Sequence, residues 1–163
     1  MKRTAIALVT LLAGGILFAQ AEIKAFPLRD AASGKTTLFA NDLTVESATA
    51  ILETWGYSAK PLVGTWYRVR KGEIVAAEIG FSAAGTLEQI NLLSPDLAFE
   101  TIVVGARLVD YSNYYKVQDF DDTLGYISVP VYVGTEAKYA CRAKCFLTNG
   151  RITQIRANFA NLR

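Results

Sequence analysis

Phe81-Ser82-Ala83-Ala84-Gly85-Thr86-Leu87-Glu88-Gln89-Ile90 is the stretch on which the fold turns, because the chain writes a near copy of it 65 residues later. The copy is Phe146-Leu147-Thr148-Asn149-Gly150-Arg151-Ile152-Thr153-Gln154-Ile155, with Phe, Gly, Gln and Ile at the same offsets. Each copy reads as a strand, a tight glycine turn and a returning strand. In the second copy a three-residue Thr148-Asn149-Gly150 loop gives coherent faces. It sets Tyr139, Cys141, Ala143 and Cys145 with Thr153, Ile155, Ala157 and Phe159, and Arg142 and Lys144 with Gln154 and Arg156 on the other side. The same loop length fits Ala83-Ala84-Gly85.

Upstream of the first copy, Gly64–Arg70 and Glu73–Phe81 read as strands joined at Lys71-Gly72, and Thr86–Leu93 follows, which makes a three-strand meander. Before it, Asn41 to Trp55 carries the helix signal of the chain, about 44–55 in its core. Val45, Ala48, Ile51, Leu52 and Trp55 recur at helical spacing, Asp42 or Thr44 can cap the start, and Gly56 supplies the left-handed stop. Earlier still, Glu22–Phe26 predicts a short strand stopped by Pro27, Asp30–Gly34 a turn and Lys35–Ala40 a strand. Downstream, Ser94-Pro95-Asp96 breaks the pattern. Glu100–Asp110, apolar on both faces, predicts a central strand. Tyr111–Leu124 suits either helix or strand. Tyr126–Val133 predicts a strand that Pro130 pushes to an edge, and Gly134-Thr135 a turn. The fold class is α+β: an antiparallel sheet with one helix on one face. A tandem helix-plus-meander duplication, about 35–94 and 100–163, accounts for the doubled hairpin and for Trp55-Gly56-Tyr57 beside Leu124-Gly125-Tyr126.

Residues 1–21 are set apart. Lys2 and Arg3, an apolar run from Ala5 to Phe18 and the small-x-small Ala19-Gln20-Ala21 predict a cleaved signal peptide. The expectation is an exported chain of residues 22–163, periplasmic or secreted, forming a single domain, with no integral membrane span. Without Lys2 and Arg3, the 17 basic residues become 15 against 15 acidic ones, so overall charge gives no support to a nucleic-acid partner. From residue 137 to the C terminus, however, Lys138, Arg142, Lys144, Arg151, Arg156 and Arg163 stand without an acid. Cys141 and Cys145 on one strand would lie roughly 13 Å apart at about 3.3 Å per residue, beyond the reach of a disulfide, so two buried thiols are expected.

The chain has no histidine, which removes Ser-His-Asp and Cys-His catalysis and histidine-held metals. Gly34-Lys35-Thr36 has Arg29 where a phosphate-binding loop needs glycine, and Gly80-Phe81-Ser82 lacks the closing glycine of a nucleophile elbow. Asp119-Phe120-Asp121-Asp122 lacks the other ligands of a calcium loop and reads as a solvated turn. No cofactor is expected and no enzyme. Six of the eight tyrosines lie within 111–139. Tyr111, Tyr114 and Tyr115 together with Arg142, Lys144 and Arg156 are therefore the candidate binding residues, for an acidic protein, a lipid headgroup or an envelope phosphate. A half-buried sheet also favours tyrosine.

Ala48-x-x-Ile51-Leu52-x-x-Trp55-Gly56-Tyr57, Trp66-Tyr67-Arg68-Val69 and Phe81-x-x-x-Gly85 resemble the helix-plus-meander modules of the PepSY and BamE types. The doubled layout is similar to the β-lactamase-inhibitor-protein architecture, although the Gly-Met-Thr helix entry and paired disulfides of those proteins are missing. That resemblance implies an inhibitor-like exported binding protein acting through protein–protein or envelope contacts. Gly64-Thr65-Trp66-Tyr67 resembles the opening of lipocalins and implies the alternative, a carrier of a small apolar ligand within a cavity.

Overall fold

The computed structural model describes residues 25–118, 121–133 and 136–159; the expected signal segment, the Gly134-Thr135 turn and Asp119-Phe120 lie outside them. Its strands are β1 (Ala25–Asp30), β2 (Thr36–Ala40), β3 (Ser58–Val63), β4 (Trp66–Lys71), β5 (Ile74–Phe81), β6 (Leu87–Leu92), β7 (Leu97–Phe99), β8 (Ile102–Val103), β9 (Lys116–Gln118), β10 (Leu124–Val133), β11 (Glu136–Thr148) and β12 (Arg151–Asn158). Helix α1 (Val45–Thr54) lies between β2 and β3, and a single 3-10 turn, Leu108–Tyr111, lies between β8 and β9. The element order therefore runs through two strands, a helical segment and four strands, and then repeats.

All pairings are antiparallel. The strands form a small sheet, β2-β1-β7-β8, and a large one, β3-β4-β5-β6-β12-β11-β10-β9. The two halves of the chain meet twice, through β1–β7 (Leu28↔Phe99) and through β6–β12 (Leu92↔Ile155, Asn91↔Arg156, Ile90↔Ala157). Within each meander the registers coincide. Trp66↔Gly80↔Gln89 matches Leu124↔Phe146↔Gln154, Tyr67↔Ile79↔Ile90 matches Gly125↔Cys145↔Ile155, and Arg68↔Glu78↔Asn91 matches Tyr126↔Lys144↔Arg156. The junction obeys the same symmetry, since Asn91 pairs with Arg156, the residue at its own equivalent position.

This register corrects the sequence alignment at the turn. Thr148 pairs with Arg151, so the second loop has two residues, Asn149 (φ 53°) and Gly150 (φ 70°), both left-handed. That is the backbone demanded by the tightest hairpin turn, for which Asn-Gly is the preferred pair. A bulge at Thr153 then restores the predicted faces from Gln154 onward, setting Cys145 against Ile155, while Thr153 itself, expected on the core face, is exposed and Ile152 is buried. The first hairpin has the same bulge at Glu88 but a longer loop. Consequently Phe146 stands where Gly80 stands, and Phe81 corresponds to Leu147. Likewise Gly125 occupies the position of Tyr67, not that of Gly56.

Helix α1 forms where its periodicity predicts. Thr44, not Asp42, caps it: Ser47 N–H donates to Thr44 Oγ1 (3.3 Å), and Ser47 Oγ accepts from Thr44 N–H (2.9 Å), an arrangement worth about 1 kcal/mol. At the other end Tyr57 N–H reaches the Leu52 carbonyl and Gly56 N–H that of Glu53, with Gly56 at φ 81°. Ala48, Leu52 and Trp55 are buried in one cluster with Phe26, Phe39, Leu97, Phe99 and Ile102 of the small sheet. Val69, Ile79, Ile90, Ile127, Ala143 and Ile155 of the large sheet join the same cluster. The helix and the small sheet thus cover one face of the large sheet, and each buried Leu, Ile or Phe contributes about 2 kcal/mol.

Several expectations fail. Pro27 does not stop β1; it sits past the last pair with β7, where its missing N–H costs no ladder bond and its carbonyl accepts from Glu100 N–H. Glu100–Asp110 is no central strand. Glu100 is left-handed (φ 56°) in a two-residue turn between β7 and β8, and Gly105 (φ 94°) ends the extended run. The Lys71-Gly72 turn is displaced by one residue to Gly72-Glu73. Ser58–Val63, not predicted, is an edge strand. Tyr111–Leu124 is neither one helix nor one strand. Pro130 lies beyond the Tyr126–Ser128 stretch that β9 covers, on the uncovered side of β10.

A polar cluster ties the small sheet to the large one. Tyr57, which leads into β3, has its hydroxyl 2.8 Å from Asp30 Oδ1 and 2.9 Å from the Asp96 carbonyl. Lys71 Nζ lies 3.4 Å from Asp30 Oδ1 and 4.7 Å from the Tyr57 ring centre. Tyr115, which leads into β9, repeats the connection, bonding to Thr101 Oγ1 (2.8 Å) and to the Glu100 carboxylate. Burial raises the pKa of Asp30, but hydrogen bonds from Ser33 and Tyr57 and the Lys71 charge outweigh it and lower the pKa to about 2. A carboxylate lowered from 3.8 stabilises the fold by about 2 kcal/mol above pH ~4, and this is lost as pH falls through ~2. Asp30→Asn should therefore flatten that acid limb: between pH 5 and pH 2, denaturant titrations of the variant should lose about 2 kcal/mol less than wild type.

Cys141 and Cys145 are free and buried, and burial pushes both thiols up to about 12. At pH 8 only about one part in 10⁴ is thiolate. A thiol reagent should react in native buffer orders of magnitude more slowly than with the denatured chain, whereas labelling at comparable rates in the two would contradict the burial.

Candidate functional site

The uncovered face of the large sheet is made by the side chains that alternate with its core. Along β11, Cys141, Ala143 and Cys145 point inward, while Arg142, Lys144 and Phe146 point outward and are half-buried. Cross-strand pairing brings Tyr126 of β10 beside Lys144, and Arg156 of β12 beside Lys144 on its other flank. The cations stack on rings. Arg142 Cζ lies 4.1 Å from the centre of Tyr126, Lys144 Nζ 5.2 Å from Phe146 and 6.0 Å from Tyr126, and Arg156 Cζ 4.8 Å from Phe146. Each such contact contributes about 0.5–1 kcal/mol at a solvated site.

Toward the centre of the sheet the surface becomes an amide network. Arg156 Nε donates to Asn91 Oδ1 (3.2 Å), Gln89 Nε2 donates to the same oxygen (2.8 Å), and Asn158 Nδ2 donates to Gln89 Oε1 (3.2 Å). Beyond it, Arg68 holds Glu78 at 2.8 Å. Trp66 lies flat on Gly80: a Cβ there would stand 2.9 Å from each of two indole ring carbons and 3.1 Å from a third. Glycine is what admits the ring. Among the described residues at these register positions, Glu78 is the carboxylate, facing Arg68, Arg142, Lys144, Arg156 and Lys116 on the same side of the sheet.

Of the six residues singled out by the sequence, Arg142, Lys144 and Arg156 come together on this face. The tyrosines belong elsewhere. Tyr111 and Tyr115 meet with their rings tilted by 42° (ring centres 6.3 Å apart) and lie against the core. The Tyr111 hydroxyl takes the Val103 N–H at 3.3 Å, and the Tyr115 hydroxyl bonds to Thr101 and Glu100. They fasten the 3-10 turn to the small sheet. Tyr114 projects into solvent, 79% exposed. The aromatic partners of the cations, Tyr126 and Phe146, and the flat Trp66 were not among the candidates. Alternation along Arg142-Ala143-Lys144-Cys145-Phe146 is the signal that marks Phe146 for the outer face.

Asp121 Oδ1 accepts from Thr123 N–H (2.7 Å), Thr123 Oγ1 (2.8 Å) and Leu124 N–H (2.7 Å), and the Thr123 backbone bond foremost holds its pKa below the ordinary carboxylate value. It organises the entry to β10. Among the described residues no three His, Cys, Asp or Glu side chains are placed to hold a metal ion, and no helix is long and apolar enough to cross a membrane. Comparison with known proteins gave no match to a family model, a curated sequence or a solved structure.

The two kinds of tyrosine separate by stability. Tyr115→Ala should cost about 1–3 kcal/mol in chemical denaturation, through lost packing and hydrogen bonds, and Tyr114→Ala less than about 0.5 kcal/mol. Equal effects would overturn the assignment.

Proposed function

We propose that the chain is a non-catalytic, exported binding protein, inhibitor-like in acting by occupying a partner, and that an acidic protein surface docks on the uncovered face of its large sheet. The observation that carries this is the row of cations stacked on Tyr126 and Phe146, half-buried and facing out of the sheet. Interface cores favour Arg, Tyr, Trp and Phe, and charge complementarity speeds encounter and excludes wrong partners. The absence of histidine from the sequence agrees with binding rather than histidine-dependent catalysis, and the signal-like residues 1–21 support an encounter in the envelope or outside the cell. The apolar side chains of both sheets and the helix pack on one another in a single cluster, which favours docking on the outside over carriage of an apolar ligand within.

The test is capture of partners from envelope extract by the immobilised chain, beside the variant Arg142→Glu, Lys144→Glu, Arg156→Glu. An acidic protein that elutes with rising salt and is not retained by the variant is the expected result, with circular dichroism confirming that the variant folds. Capture that survives the reversal of all three charges would overturn the proposal.

A further inference from the structure

We infer that the docking face is one-sided: the fold presents two register-equivalent half-surfaces, and only the second is built to receive carboxylates. The inference rests on the binding function proposed above and names where on the face the acidic side chains sit. Arg68, Glu78 and Asn91 occupy the positions that Tyr126, Lys144 and Arg156 occupy in the other half. The first set neutralises itself, Arg68 holding Glu78 at 2.8 Å next to a neutral amide. In the second set tyrosine stands in place of the arginine, lysine of the glutamate and arginine of the asparagine, so the three positions carry a net charge of +2 instead of zero.

The ring follows the charge. Phe146 stands at the position of Gly80, flanked by Lys144 at 5.2 Å and Arg156 at 4.8 Å, whereas at Gly80 the Trp66 ring fills the space. Lys144 and Arg156 are directly opposite in register, and like charges so placed repel. A carboxylate between them relieves that repulsion and accepts charge-assisted hydrogen bonds from both. The ligand is therefore an Asp- or Glu-bearing segment of the partner, and one chain takes one such segment. The equivalence of element order and register is also what a tandem duplication would leave.

Exchange between the halves tests this in the full chain, because each residue introduced already occupies the equivalent position elsewhere in the molecule. The probe is a fluorescein-labelled decaglutamate peptide at low salt, read by anisotropy and by calorimetric stoichiometry. Wild type should bind one peptide. Y126R/K144E/R156N, which rebuilds the Arg–Glu pair in the second half, should weaken binding by about tenfold or more. R68Y/E78K, which leaves the Asn91–Arg156 junction intact, should raise the stoichiometry to two. E78K alone, which should add a weaker second site, serves where the double variant does not fold. If wild type binds and Y126R/K144E/R156N binds equally well, the one-sided assignment falls and the binding function stands. Folded R68Y/E78K and E78K that both stay at one site would overturn the assignment as well. Failure of wild type to bind the peptide at all would count against the binding function itself.

Discussion

The junction of β6 with β12 is the constraint on which the rest of the molecule depends. Without it the large sheet would be two four-stranded meanders, each ending in a row of unpaired backbone groups. With it, one register decides two surfaces. Ile90↔Ala157 and Leu92↔Ile155 face the core, and Asn91↔Arg156 faces out. A slip of one residue would carry Arg156 inward and leave Ile155 in water, at a cost far above the few kcal/mol that separate folded from unfolded chains. The bond from Arg156 to Asn91 marks the correct register from the outer side.

Because both halves must fit the same junction, they keep the same strand order and differ where the junction does not reach. In the first half ten residues of helix lie between the leading hairpin and the meander; in the second, a single 3-10 turn does. Yet the residue entering each meander is a tyrosine, Tyr57 or Tyr115, whose hydroxyl is held by the turn or strand end of the small sheet. The linkage common to both halves is the one that ties the small sheet to the large one. The first is reinforced by Lys71.

What was legible in the sequence follows from the range of the forces involved. Helix α1 was readable because its apolar stripe, cap and glycine stop are local. The hairpins were readable because glycine at positive φ leaves a mark, although Asn149-Gly150 was assigned a loop one residue too long. Beyond the turn the faces nevertheless survived, since the bulge at Thr153 restores the parity that the shorter loop would have broken, with Thr153 exposed and Ile152 buried next to it. The small sheet was readable only in its first half, where β2 forms at the predicted Lys35–Ala40 and β1 runs on past the predicted stop. Strands of two and three residues, β8 and β7, have no periodicity to detect, and Pro27 seemed to forbid a strand that pairing on one side tolerates. The binding residues were half legible: the cations cluster in sequence, whereas Tyr126 reaches Lys144 only through the pairing of β10 with β11. The tyrosine count misled, since side chains close in sequence serve different surfaces.

The internal equivalence separates what folding requires from what it does not. Glu78 and Asn91 hold the register positions of Lys144 and Arg156 in a meander whose pairing is the same, and they do so with an internal ion pair and a neutral amide. Setting lysine opposite arginine on one face is, by contrast, mildly destabilising, by roughly 0.2–1 kcal/mol for directly opposed like charges, and it is tolerated because each cation also has a ring to rest on. A meander of this design folds without that charge. The second half carries it on the side of the sheet turned away from the core, at positions where the first half shows that the pairing does not require it.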